Sequence, residues 1–286
     1  MFLTKQINDL PKIMTSIEQI ESHIFKKLED LKACALDYYD SVLTSGDFPL
    51  DPLRKLEELR HLNEKEIRVV GSTYMDRLYE QSQQYTKEEH DIPTVLLAPT
   101  WGNYSILSKY GSEFISKLAE TGYKIIIRPH PQSRTADKEL LDRLQAEFPD
   151  SDNLEWNYDN DNFKVLSQAD ILISDYSGVM FDYSFIFNRP IIYTDATFTP
   201  DPYEAYWLNE EPWLIKVLPT MGQKLEYNED SDLKQSIDNA LQSKELEANR
   251  IIIRDEGWQY KGEAAKRTVD YMVGKYEEIT RQWGED

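Results

Sequence analysis

Between residues 93 and 193 the chain alternates short, largely apolar runs with helical stretches, and no other feature constrains the fold as much. The runs lie at 94–98 (TVLLA), 123–127 (YKIII), 154–156 (LEW), 170–173 (DILI) and 190–193 (PIIY). Strands this rich in Leu, Ile and Val lack the polar-out alternation of a half-exposed sheet, so they predict burial on both faces. Helical spacing fills the intervals, up to about 120 and over 137–148, 162–168 and 179–187, and Thr121-Gly122 stops the first of these. Strand and helix in strict alternation, joined by right-handed crossovers, give an α/β fold with a doubly wound parallel sheet. The stretch 230–281 reads as mostly helical.

In such sheets ligands bind beyond the carboxyl ends of the strands, and three of those ends carry unusual residues. The run 94–98 leads into Pro99-Thr100-Trp101-Gly102-Asn103, a fixed loop whose Trp101 could stack on a base or fill an interface. The run 123–127 leads into Arg128-Pro129-His130-Pro131. Two prolines hold an arginine, suited to bidentate phosphate contacts, beside a histidine able to donate to a leaving oxygen. The run 170–173 leads into Ser174-Asp175-Tyr176-Ser177-Gly178 and then directly into a helix. Small residues there let backbone N–H groups approach a phosphate, and the helix N-terminus adds a partial positive charge. Ser177 is the expected N-cap and phosphate donor. Asp175 and Asp182 put carboxylates nearby, Asp182 where it complements the helix dipole.

Composition narrows the partners. A net charge of −20 opposes nucleic acid and anionic lipid as primary partners, so a phosphate-bearing ligand requires a local positive site. The one cysteine, Cys34, excludes an internal disulfide, and the four histidines show no zinc spacing. No metal is expected, and a reducing cytoplasm fits. No apolar run reaches the ~20 residues that span a bilayer.

The first part of the chain is shorter on signals. Residues 1–32 carry Ile17, Ile20, Ile24, Leu28 and Leu31 at helical spacing. Their polar face is mixed and not basic, which favours packing on the protein over a membrane or partner role. Strands are expected at 39–43 and 67–70 with a helix from 51 to 62 between them, one βαβ unit. Residues 79–92 are polar and read as a linker or solvated helix. A first domain over 1–80 and a second over 93–275 follow, the first too short for a full mononucleotide-binding half.

The segments LLAPTW (96–101), IIIRPHP (125–131), ADILISDYSGVMFDYSF (169–185) and RPIIYTD (189–195) resemble the CDP-glycerol glycerophosphotransferases. DYYDSVLTSG (37–46) and VVGSTYMDRL (69–78) are similar to the end of that family's first domain, and the resemblance covers about 36–275. It implies a GT-B architecture of two Rossmann-like domains, with the donor, CDP-glycerol, held mainly by the second. It also implies that a polyol-phosphate or lipid-linked acceptor attacks the donor's β-phosphate and releases CMP, without a metal or other cofactor. By position, His130 would contact the diphosphate with Arg128 beside it. Asp175, Ser177 and the Gly178 backbone would line the phosphate site, with Thr100 and Trp101 near the cleft. Two features depart from the pattern. Gly178 stands where the family usually has a second serine, and the first domain's Trp-His-Gly-type motif, which supplies the base, is absent. His23 is the one histidine upstream of the DYYD segment and so the candidate substitute. A fragment of a longer gene, a degenerate member and a partner chain supplying the missing half all remain open. So do two other functions: a non-catalytic nucleotide-binding remnant, and a GT-B transferase or epimerase using a UDP-sugar. The substrate class places the protein in the cytoplasm, peripheral to the inner face of the membrane.

Overall fold

The computed structural model describes residues 38–87, 90–175, 177–194 and 211–284. The segment 1–32 expected to be helical lies outside these residues, and His23 with it.

The first unit is a single strand–helix–strand. β1 (Ser41–Thr44) and β2 (Glu66–Val69) pair in parallel, Ser41 opposite Glu66, and α1 (Leu50–Leu59) connects them. Leu53 and Leu56 of α1 close over Val42 and Ile67 as a small core. The buried Glu57 is compensated by the Arg54 guanidinium and the Lys65 N–H, each at 2.8 Å.

α2 (Thr73–Gln84) runs into the stretch 79–92 expected to be a linker or solvated helix, and residues 79–84 of that stretch are helical. Ser72 starts it by accepting the Met75 N–H at 3.3 Å. Its exposed face, with Glu80, Gln83 and Gln84, is what made the sequence look solvated. Its other face sends Met75 and Leu78 into the core of the second unit.

That second unit is a six-stranded sheet. β3 (Thr94–Ala98), β4 (Lys124–Ile127), β5 (Leu154–Trp156), β6 (Ile171–Ser174), β7 (Ile191–Thr194) and β8 (Gln223–Leu225) lie in the order β5-β4-β3-β6-β7-β8, all parallel. Side chains alternate between two cores as a sheet covered on both faces requires. Leu96, Ile126, Leu172 and Ile191 point to one core, and Val95, Leu97, Ile125, Ile127, Ile171, Ile173 and Ile192 to the other. The first core is closed by α2, α6 (Asn162–Gln168), α7 (Val179–Phe187) and α8 (Trp213–Met221). The second is closed by α3 (Ile106–Glu120), α5 (Lys138–Glu147) and α9 (Leu233–Gln242). A short α4 (Ser133–Ala136) precedes α5, which is the helix expected over 137–148. The chain starts at β3, winds outward through β4 and β5, then crosses back to β6. The topological switch point therefore lies between β3 and β6.

The C-terminal helices tie the two units together. α10 (Lys244–Gly257) runs into a turn against the loop after β1, where Ser45 Oγ donates to the Gly257 carbonyl and the Gln259 N–H to the Ser45 carbonyl. A Cβ on Gly46 would collide with the Glu256 carbonyl, so only glycine fits there. α11 (Ala264–Gly284) then lies along the first unit, with Tyr271 donating to Ser41 Oγ at 2.7 Å and Lys275 paired to Glu66 at 2.6 Å. The junction centres on the buried Asp76 of α2. Its carboxylate accepts from Trp258 Nε1 (3.1 Å), the Gly262 N–H (2.8 Å) and the Ala264 N–H (3.0 Å).

Removing that carboxylate strands three donors, two of them buried or partly buried backbone groups. Asp76→Ala is therefore expected to lower the unfolding free energy by about 2–4 kcal/mol, read from the shift in urea midpoint. A loss under about 0.5 kcal/mol, the size of an ordinary surface substitution, would remove Asp76 from this role.

Candidate functional site

Parallel pairing puts the carboxyl ends of β4, β3 and β6 side by side, with Leu97 opposite Ile127 and Ala98 opposite Ser174. The Arg128–His130 turn and the start of α7 thus leave the same edge of the sheet on either side of the β3 loop. Neighbouring strands are about 4.8 Å apart, so these flanking loops emerge roughly 10 Å from one another.

The β3 loop is fixed from below. Ser174 Oγ donates to the Ala98 carbonyl at 2.5 Å. Asp175 accepts the Thr100 N–H at 2.5 Å on one oxygen and the Ile106 N–H at 2.6 Å on the other. Asp175 has no exposed surface. Burial pushes its carboxyl up to about 6, opposed by the backbone N–H groups of Thr100 and Ile106. It lies beneath the site and shapes the loop instead of facing a ligand. The Gly102 N–H, at φ +82°, donates to Asp137 at 2.9 Å, and this leaves Trp101 about half exposed at the rim.

On one flank, Arg128 follows β4 directly. Its two terminal nitrogens donate to Asn157 Oδ1 at 2.5 Å and Asn162 Oδ1 at 2.6 Å. Both partners are neutral, so the fork is oriented while its charge is left available. Burial lowers the guanidinium's pKa, yet arginine stays charged. After the buried Pro129 comes His130, whose Nδ1 accepts the Gln132 N–H at 3.2 Å. That bond assigns the proton of the neutral ring to Nε2, and burial favours the neutral ring by lowering its pKa. His130 is therefore set to donate from Nε2. Arg134, four residues on, donates to the Tyr158 carbonyl at 2.6 Å and lies over the Tyr158 ring.

On the other flank, Gly178 and not Ser177 is the N-cap of α7, and no side chain caps it. Gly178 itself has helical φ and ψ (−55°, −26°). The Ser177 carbonyl accepts the Met180 N–H at 3.1 Å. A Cβ on Gly178 would meet nothing within 4 Å, so this backbone is open to approach. Asp182, in the first turn, accepts from Tyr74 Oη of α2 at 3.2 Å. Burial pushes the Asp182 carboxyl up to about 6, with the Tyr74 hydroxyl pulling it down.

The structure therefore brings Thr100, Trp101, Arg128, His130, Ser177, Gly178 and Asp182 to one edge, with Asp175 underneath. Sequence reasoning missed Asn157 and Asn162, which aim the arginine, and Tyr74, which reaches in from α2. Arg134 was findable, since it shares the turn after the RPHP segment. Among the described residues no group of three His, Cys, Asp or Glu side chains could hold a metal ion.

A parallel six-stranded sheet of this order, with its polar loops at the switch point, has the fold of a GT-B Rossmann-like domain. Solved structures agree on the fold. A His-to-Ala variant of the wall teichoic acid polymerase TagF superposes with a TM-score of 0.52 at 17% identity, over 90% of this chain and 62% of that one. A His-to-Asn variant of the same polymerase soaked with CDPG gives 0.50 at 18%, over 85% and 58%. The UDP-GlcNAc 2-epimerase of Methanocaldococcus jannaschii, in complex with UDP-GlcNAc and UDP, gives 0.52 at 16%, over 82% and 61%. The chain thus spans about three-fifths of the length of the structures it matches. None of the curated proteins matches it. The family profile described as CDP-Glycerol:Poly(glycerophosphate) glycerophosphotransferase matches residues 52–272. The chain belongs to that family, as its RPHP and SDYSG segments implied.

The two raised carboxyls fix a pH dependence. Their folded values near 6 lie above the unfolded aspartate value, so the stability linked to protonation is present below about pH 4 and is lost as pH rises through 6. Asp182→Asn should flatten this decline by about 2 kcal/mol, measured as denaturation midpoints from pH 4 to 8. A variant curve parallel to the wild type would show that Asp182 titrates normally.

Proposed function

We propose that the chain transfers glycerol phosphate from CDP-glycerol to a glycerophosphate-type acceptor and releases CMP. The observation that carries this reading is the convergence of Arg128, His130 and the N-terminus of α7 on one sheet edge of a strongly anionic protein. In this reading the diphosphate spans the β3 loop. Arg128 holds one phosphate through its oriented fork, and the open backbone at Gly178 and Val179 holds the other. The acceptor hydroxyl attacks the β-phosphorus, a new P–O bond forms, and the bond to the bridging oxygen breaks. The electron pair leaves on the CMP phosphate, where the His130 Nε2–H and the arginine stabilise it. The hydroxyl proton passes to a base, for which His23 is the candidate in this sequence.

No helix among the described residues is long and apolar enough to cross a membrane. In this reading a lipid-linked acceptor is met at the inner face of the membrane.

His130→Ala is expected to cut CMP release from CDP-glycerol by at least about 100-fold, followed as CMP by chromatography with a glycerophosphate primer. Release at the wild-type rate would remove His130 from the chemistry. The fold is shared with an enzyme that binds UDP-GlcNAc, so the same preparations are to be melted with CDP-glycerol and with UDP-GlcNAc. CDP-glycerol should raise the melting temperature more.

A further inference from the structure

A cavity of about 270 Å³ opens beside the Arg128 fork. On one side it is lined by Tyr74, Arg77 and Gln81 of α2, on the other by Asp161, Asn162 and Phe163. Two of these residues already belong to the site. Asn162 accepts from Arg128 at 2.6 Å, and Tyr74 donates to Asp182 in the first turn of α7 at 3.2 Å. The cavity therefore continues the phosphate site toward α2. It is smaller than the ~300–1,000 Å³ of pockets that hold a whole drug-sized ligand, so it suits one end of the donor.

The walls combine ring surface with an unpaired charge of each sign. Half-exposed Tyr74 and buried Phe163 supply the ring surface. Arg77 makes no hydrogen bond or ion pair among the described residues, and not for want of carboxylates in a chain with 52 of them. Asp161 spends Oδ1 on the Phe163 N–H at 2.9 Å and pairs with no cation among the described residues. The two opposite charges thus share one cavity without pairing with each other. A ligand that offers donors and acceptors side by side would satisfy both.

We propose that the cavity takes the cytosine ring of the donor and that Arg77 and Asp161 read its edge, an inference that rests on the CDP-glycerol reading above. Cytosine presents an N4 amino donor beside two acceptors, N3 and O2. A carboxylate accepts from N4, which is the part open to Asp161. The guanidinium of Arg77 donates to the acceptors, and the ring lies against Tyr74. Uracil puts a carbonyl oxygen where cytosine has the amine, so Asp161 would face another acceptor. The glycerol end of the donor has neither a ring for Tyr74 nor an amine for Asp161, and fits less well. The α2 wall would thereby take part in choosing the donor.

The test is calorimetric titration of the full chain with CDP and with UDP, which share the diphosphate and differ only in the base. CDP is expected to bind at least about fivefold more tightly than UDP. Asp161→Asn keeps a side chain able to cap α6, so it should fold normally and bring the CDP-to-UDP ratio close to one. Arg77→Gln should weaken CDP by at least about fivefold. Equal affinities for CDP and UDP in the wild type would overturn the inference while leaving the diphosphate site standing. So would a ratio unchanged in Asp161→Asn, or CDP affinity unchanged in Arg77→Gln. Failure of the wild type to bind either nucleotide would overturn the donor-site reading and this inference with it.

Discussion

Asp175 holds the mouth of the sheet together. It stands at the end of β6, and its two oxygens reach across the switch point to the N–H groups of Thr100 and Ile106. A carboxylate without exposed surface is costly unless its lone pairs are filled, and here the backbone of the neighbouring loop fills them. The same two bonds hold that loop down, between the Arg128–His130 turn on one side and the start of α7 on the other. The site's geometry thus follows from a buried charge that must find donors. Tyr74 on Asp182 repeats the arrangement farther out, linking α2 to the same helix start.

The second organising constraint is electrostatic. With a net charge of −20 the molecule repels anions at long range, yet the candidate site concentrates Arg128, Arg134 and a helix N-terminus. Arg128 is oriented by Asn157 and Asn162, and amides aim a guanidinium without neutralising it. A carboxylate in either place would cancel the charge a phosphate needs. His130, whose pKa burial lowers and whose Nδ1 accepts the Gln132 N–H, offers a directed donor at Nε2.

Much of this was legible in the sequence, and what was not has physical causes. Five of the six strands of the main sheet were readable, four of them because burial on both faces leaves Leu, Ile and Val in nearly unbroken runs. β8 has three residues, two of them polar, at the sheet's edge, and carries no such signature. α2 begins at Thr73, ahead of the stretch 79–92 read as a linker or solvated helix, and its buried apolar residues Met75 and Leu78 precede that stretch, where exposed polar residues dominate. Arg128 and His130 could be picked out because prolines and a strand end frame them. Their orienting partners could not, since Asn157 and Asn162 lie 29 and 34 residues away in sequence. The N-cap shift from Ser177 to Gly178 depends on backbone angles that a serine–glycine pair does not specify.

The central claim is that the Arg128 turn and the α7 N-terminus jointly grip a diphosphate. Calorimetric titration of CDP-glycerol into wild-type and Arg128→Gln protein tests it most directly. Losing a charge-assisted contact of about 1.5–3 kcal/mol should weaken binding by roughly ten- to a hundredfold. Equal affinity in the two proteins, or no binding to the wild type at millimolar ligand, would contradict the account.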